Sequence, residues 1–97
     1  MGNETIATQY LIPNTQYKKI MHLEIVTPEK TLFAGEVTSV RLPGSAGTFE
    51  VLNNHAPLIS TLDPGQVRVR KADGQEEYFA VQSGFVEVLK NKVTVMV

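Results

Sequence analysis

Strict two-residue alternation of apolar and polar side chains recurs in short runs from His22 to the end of this chain, and no run of ten or more residues carries a helical period. Gln66-Val67-Arg68-Val69-Arg70 is the clearest case. Successive side chains of an extended backbone point to opposite faces, so this run can bury its valines and wet its arginines. His22-Leu23-Glu24-Ile25-Val26-Thr27 reads the same way, and Pro28-Glu29 ends it. Thr31-Leu32-Phe33-Ala34 follows, closed by Gly35, and then residues 36–42, with Val40 and Leu42 on one face. Residues 48–52 put Phe49 and Val51 together, and residues 57–62 carry Leu58, Ile59 and Leu62. Ala72-Asp73-Gly74 has hairpin-turn chemistry, and residues 77–81, 85–89 and 90–97 close the chain with a second hairpin.

About nine short strands punctuated by Gly, Pro and Asp predict an all-β fold, a two-sheet β-sandwich of nine to ten strands in preference to a small barrel. Ninety-seven residues make one domain. With 42% hydrophobic residues, four Phe, three Tyr and no Trp, the core must be built chiefly from valine, leucine and isoleucine. No cysteine is present, so no disulfide framework is available. A formal net charge of −1 with both signs interspersed offers no basic track for nucleic acid. The apolar runs are far shorter than a bilayer span, which excludes direct membrane insertion by a helix. Residues 1–20 have no stable period, no apolar signal-peptide core and no arginine. They are expected to be a disordered extension, a stretch ahead of a true start at Met21, or a leader, with the folded domain at residues 21–97.

The chemistry specific to this chain has to be sought in residues 43–57, where glycines, a short strand and His55 before Ala56-Pro57 follow one another. His55 could be a base, a metal ligand, or a hydrogen-bonded turn residue that shapes a binding face. A base needs a nucleophile and an orienting acid; a zinc site needs three or four ligands. His22 is the only other histidine, and it lies on a separate strand. The acids near His55 are Glu50 and Asp63, and no nucleophile stands out among Ser45, Ser60 and Ser83. The glycine spacing matches neither a Walker loop nor a dinucleotide fingerprint. The residues therefore point to a non-catalytic β-module with no metal and no cofactor, whose sheet edges need covering. A small-ligand or carbohydrate-binding module is the alternative, although tryptophan for sugar stacking is missing. Arg68, Arg70 and Lys71 face Glu76 and Glu77 across a hairpin, which reads as a solvated face with cross-strand pairs.

His22-Leu23-Glu24-Ile25-Val26, Leu32-Phe33-Ala34-Gly35-Glu36-Val37, Gly44-Ser45-Ala46-Gly47 and Asn54-His55-Ala56-Pro57-Leu58 occur in the order and register of one family. So do Pro64-Gly65-Gln66-Val67-Arg68-Val69, Ser83-Gly84-Phe85-Val86-Glu87-Val88 and Asn91-Lys92-Val93-Thr94-Val95. Over residues 22–97 the chain resembles the N-terminal β-sandwich domain of the epsilon subunit of bacterial and chloroplast rotary ATP synthases. The resemblance implies a central-stalk rotor subunit that holds the foot of the gamma subunit to the c-ring and couples proton flow to ATP synthesis. It also implies a peripheral place on the cytoplasmic face of the bacterial inner membrane. Gly44, Ser45, Ala46, Gly47 and Thr48 correspond to the family's ring-facing loop, and Thr27, His55, Leu58 and Ser60 to its gamma-facing side. Two departures follow. Ala46 and Thr48 stand where family members commonly place an acid, with Glu50 just beyond. The helical hairpin that usually follows Val95 does not, so a naturally short form or a truncated chain is expected, in both cases with no ATP site and no helix-mediated inhibition by this chain.

Overall fold

A computed structural model of the chain describes residues 20–97, so the extension expected over residues 1–20 lies, Ile20 apart, outside the described residues. Eight strands follow one another: β1 (Met21–Val26), β2 (Thr31–Gly44), β3 (Gly47–Leu52), β4 (Leu58–Leu62), β5 (Gly65–Lys71), β6 (Glu76–Val81), β7 (Gly84–Leu89) and β8 (Lys92–Met96). The count falls below nine because the two runs on either side of Gly35 are one strand. Gly35 does not turn the chain; it takes its place opposite Leu23 in the antiparallel β1–β2 ladder.

The break in alternation comes three residues later. The β2–β5 register shifts between Val37 and Ser39. Before the shift Phe33, Gly35 and Val37 face inward; after it Val40 and Leu42 do. One extra residue inverts the phase of a strand whose side-chain period is two, and it bends the strand. Thr38 helps to pin the bulge, its Oγ1 donating to the Arg70 carbonyl at 3.3 Å.

That bend lets β2 serve two layers. Its first half pairs with β1, which runs parallel to β8; β8 pairs with β7, and β7 with β4. Its second half lies between β3 and β5, and β5 pairs with β6. All eight strands thus form one hydrogen-bonded network folded on itself. The two layers meet again where Gly44, the last residue of β2, pairs with Leu62 of β4.

The core lies between the layers. Ten of its fifteen buried apolar residues are valine, with Leu23, Ile25 and Leu42 among the others. Branching at Cβ suits the pleated surface, and each fully buried side chain of this size contributes about 1.5–3 kcal/mol relative to exposure. Val67 and Val69 are fully buried, and Arg68 and Arg70 point out, as the alternation requires. Phe33 and Phe79 close one margin edge to face, with ring centroids 5.9 Å apart. Ile59 faces outward at 72% exposure, although it is as apolar as its neighbours Leu58 and Leu62.

The β5–β6 layer carries ion pairs on its outer face and, through Lys71 and Glu77, at the margin of its inner one. Arg70 Nη2 lies 2.8 Å from Glu76, and Lys71 Nζ lies 2.8 Å from Glu77. Arg68 turns the other way, reaching across β2 to Glu50 on β3 at 2.8 Å. The hydrogen bond from Arg70, helped by one from Tyr78, holds the Glu76 carboxyl below the usual glutamate value. The Glu77 contact raises Lys71. Exposed pairs of this kind are worth little individually.

Two outcomes are expected. The Ser39 hydroxyl is buried and meets no partner among the described residues. Removing an unpaired buried hydroxyl relieves a desolvation cost. Ser39→Ala should therefore leave stability unchanged or raise it by up to about 1 kcal/mol in urea denaturation. A loss of comparable size would show that the hydroxyl is satisfied in solution. Arg70→Gln should move the Glu76 titration, followed by carboxyl NMR, upward toward the usual glutamate range, with the Tyr78 hydrogen bond still lowering it. Because the folded value is depressed, this carboxylate's contribution is present above its unfolded value and is lost as pH falls through the folded one. An unmoved titration would mean that the Arg70 contact does not form in solution.

Candidate functional site

The two layers do not close along the side where β3 and β4 run. β3 pairs only with β2, and β4 pairs with β7 apart from the single Gly44–Leu62 contact. Between these two strand edges lies an open groove of about 410 Å³, lined by Ala46, Gly47, Thr48, Phe49, His55, Leu58 and Ser60. Thr48 and Phe49 come from β3, Leu58 and Ser60 from β4, and His55 from the connection between them. Phe49 and Leu58 are half-buried and pack against the core, so the groove has an apolar floor. None of its lining residues is a carboxylate, lysine or arginine.

One end of the groove is pinned by the tight β2–β3 hairpin. Gly44 is buried inside it: a Cβ there would lie 2.7 Å from the Phe49 ring and 2.8 Å from the Gly47 carbonyl. Gly47 has φ of +132°, open to a glycine backbone. The hairpin is then tied to β4. Ser45 N–H donates to the Thr61 carbonyl at 3.0 Å, and Asp63 N–H to the Pro43 carbonyl at 2.8 Å. Thr61 Oγ1 donates to Ser45 Oγ at 2.8 Å, and Ser45 Oγ in turn donates to Asp63 at 3.1 Å. The Ser45 side chain is thus engaged within the chain, whereas Ala46, Gly47 and Thr48 are exposed at the groove's head.

The other end carries His55. Its N–H donates to the Leu52 carbonyl at 3.1 Å, closing a turn in which Asn54 has φ of +66°. His55 Nδ1 lies 2.8 Å from the Ala56 carbonyl. A carbonyl can only accept, so Nδ1 carries the proton and Nε2 of a neutral ring remains an acceptor. The ring anchors the turn and leaves one polar atom for a partner. No catalytic geometry accompanies it: Glu50 is held by Arg68, Asp63 by Ser45, and Ser60 Oγ donates to the Thr61 carbonyl at 3.0 Å. Among the described residues no group of three or more His, Cys, Asp or Glu could hold a metal ion.

The structure therefore brings three of the four residues expected on the gamma-facing side, His55, Leu58 and Ser60, into one groove with three of the five expected in the ring-facing loop. Thr27 lies elsewhere. It follows β1, and its Oγ1 accepts the N–H groups of Glu29 and Lys30 at 3.1 and 3.0 Å. It borders a second, apolar cleft of about 360 Å³ with Val26, Pro28, Phe85, Met96 and Val97. The residues not anticipated are those that pin the groove: Thr61, Asp63 and Asn91. Their partners are distant in sequence, and only the Asp63-Pro64-Gly65 turn signal hinted at one of them.

Comparison with known proteins assigns the family. Residues 20–97 match the model of the ATP synthase, Delta/Epsilon chain, beta-sandwich domain. The chain is 45% identical over 78 residues to the ATP synthase epsilon chain of Chlorobium limicola, covering 80% of this chain and 89% of that one. It is 48% identical over 72 residues to the epsilon chain of Dichelobacter nodosus, covering 74% of this chain and 50% of that one, so it spans half the length of that relative. A chain in the mitochondrial ATP synthase structure from Euglena gracilis shares the fold at TM-score 0.74 and 20% identity, over 81% of this chain and 50% of that one. One in the central stalk and c-ring structure from Tetrahymena thermophila does so at 0.66 and 19%, over 78% and 61%. By a match that runs from Ile20 to the last residue, this chain belongs to the ATP synthase delta/epsilon family, with the β-sandwich domain of that family as its fold.

Proposed function

We propose that this chain is the non-catalytic epsilon-type rotor subunit of the central stalk of a proton-translocating ATP synthase, with residues 21–97 as its β-sandwich domain. It joins the gamma foot to the c-ring, so that torque from proton flow reaches nucleotide sites on other subunits. It is peripheral to the membrane through the complex, at the cytoplasmic face of the bacterial inner membrane. Among the described residues no helix is long and apolar enough to cross a bilayer.

The observation that carries this reading is the shared groove: His55, Leu58 and Ser60 line the wall that would face gamma, while Ala46, Gly47 and Thr48 form its head toward the ring. Thr27, beside the second cleft, would extend the gamma-facing side. Gly44 and Ser45 would serve the ring-facing loop from within, by shaping its hairpin. A part that transmits torque must not deform, and a close-packed valine core between two hydrogen-bonded layers has low compressibility. Glu50, the acid nearest the loop in sequence, is bound to Arg68, and Asp63 is engaged by Ser45, which leaves backbone groups and small side chains for the ring.

Calorimetric titration of purified gamma subunit from the same source into this chain tests the reading. One-to-one binding is expected, and a His55→Ala, Ser60→Arg double variant should weaken it at least tenfold, or about 1.4 kcal/mol. A folded wild-type chain that does not bind gamma would return the assignment to a β-sandwich module without a known partner.

A further inference from the structure

We infer that Asn91, in the β7–β8 turn, is a positioning residue that holds the His55 turn in its partner-binding conformation; this rests on the groove being the gamma-facing side. Lys90 and Asn91 form a two-residue hairpin loop with φ of +50° and +61°. Positive φ at both positions marks the hairpin turn that matches strand twist, and glycine is the residue best suited to its second position. Asparagine tolerates that conformation less well than glycine does. Its side chain supplies what glycine could not.

Asn91 Oδ1 accepts the backbone N–H of Asn54 at 2.7 Å, across 37 positions of sequence. Asn91 Nδ2 lies 3.4 Å from Asn54 Oδ1, a longer second contact between the same two residues. The Asn91 carbonyl also accepts the N–H of His22 at 3.0 Å, so one residue ties together the start of β1, the β7–β8 turn and the β3–β4 connection. Asn54 sits in the left-handed region immediately before His55, in a turn closed by the single bond from His55 N–H to Leu52. The turn leaves the Asn54 N–H free, and the Asn91 carboxamide is its partner.

β3 and β4 have no ladder between them, so hydrogen bonds tie this side of the groove only at its two ends. Ser45, Thr61 and Asp63 fix the end near the hairpin, and the Asn54–Asn91 contact fixes the end that carries His55. Without it the connection between Leu52 and Leu58 would be held by the local turn alone. A loop that must be ordered on binding loses affinity to that ordering, whereas a preformed one does not. Asn91 acts through the turn and not as a contact.

The test uses the full chain with two substitutions at one position. Asn91→Gly keeps the turn conformation and removes the carboxamide; Asn91→Asp keeps an oxygen acceptor for the Asn54 N–H. Amide exchange at Asn54 in the free chain reads the contact without gamma, and calorimetry with gamma reads its consequence. Asn91→Gly should lower Asn54 protection at least tenfold and weaken gamma five- to tenfold, with the melting temperature nearly unchanged. Asn91→Asp should restore both to within about twofold of wild type. Val81→Ala, a core truncation on β6, serves as the control for general destabilisation and should leave gamma affinity unchanged. Retained Asn54 protection in Asn91→Gly would remove the contact from the account. Lost protection with unchanged gamma affinity would reduce Asn91 to a purely structural role, and an equal affinity loss in Val81→Ala would attribute the effect to stability. A wild-type chain with a protected Asn54 amide that ignores gamma would overturn the gamma-facing reading and the positioning role with it, while leaving the contact standing.

Discussion

All strand pairing between the two layers of this fold passes through β2. Fourteen residues long, it pairs with β1 in its first half, with β3 and β5 in its second, and with β4 at its last residue. A regular strand of that length would keep one face inward throughout and could belong to only one layer. The bulge at Thr38 and Ser39 inverts the phase, so Val37 and Val40 both reach the core although they are three residues apart. The extra residue is accommodated by burying Ser39 with its hydroxyl unpaired. A sandwich held by one shared strand moves as one body, because sliding one layer over the other would break the β2 ladders.

The same arrangement creates the groove. β2 gives its second-half edges to β3 and β5, which leaves β3 with one free edge; β4, paired with β7, has another. An unpaired strand edge invites uncontrolled association unless it is covered, blunted or twisted away. Here the two free edges face one groove whose floor is Phe49 and Leu58, and whose walls carry no charged side chain. The β5 cations carry their own counter-charges instead: Arg68, Arg70 and Lys71 are each matched to a glutamate. Surface that carries its own counter-charges has little need of a partner, and the groove is where need remains.

Much of this was legible in the residues, and the limits have a physical origin. Alternation located β1, β3, β5, β6, β7 and β8 because each buries one face, and burial of one face is what a period of two records. It misplaced Gly35 as a stop, since a glycine opposite Leu23 and a glycine in a turn look alike in one dimension. It could not separate Ile59 from Leu58, because a single strand does not say which face its partner layer covers. His55 was legible as a turn residue, and the hydrogen bond to Ala56 fits that role. The pinning residues were not. Thr61, Asp63 and Asn91 act through partners 16, 18 and 37 positions away.

The asymmetry between the two ends of the groove follows from chain connectivity. At the hairpin end, β2 and β3 are continuous through Ser45 and Ala46, and four hydrogen bonds join that turn to β4 and the residue after it. Backbone and side chain share the task there, so no single substitution removes it. At the His55 end, β3 runs on into β4 through residues 53–57, a segment that includes Ala56-Pro57, and proline donates no backbone hydrogen bond. Its tie to the rest of the molecule is made by one asparagine side chain in another turn. The end that carries the histidine is therefore the one whose geometry can be altered alone. Adjustment of the His55 wall of the groove is possible there without disturbing the β2–β3 hairpin.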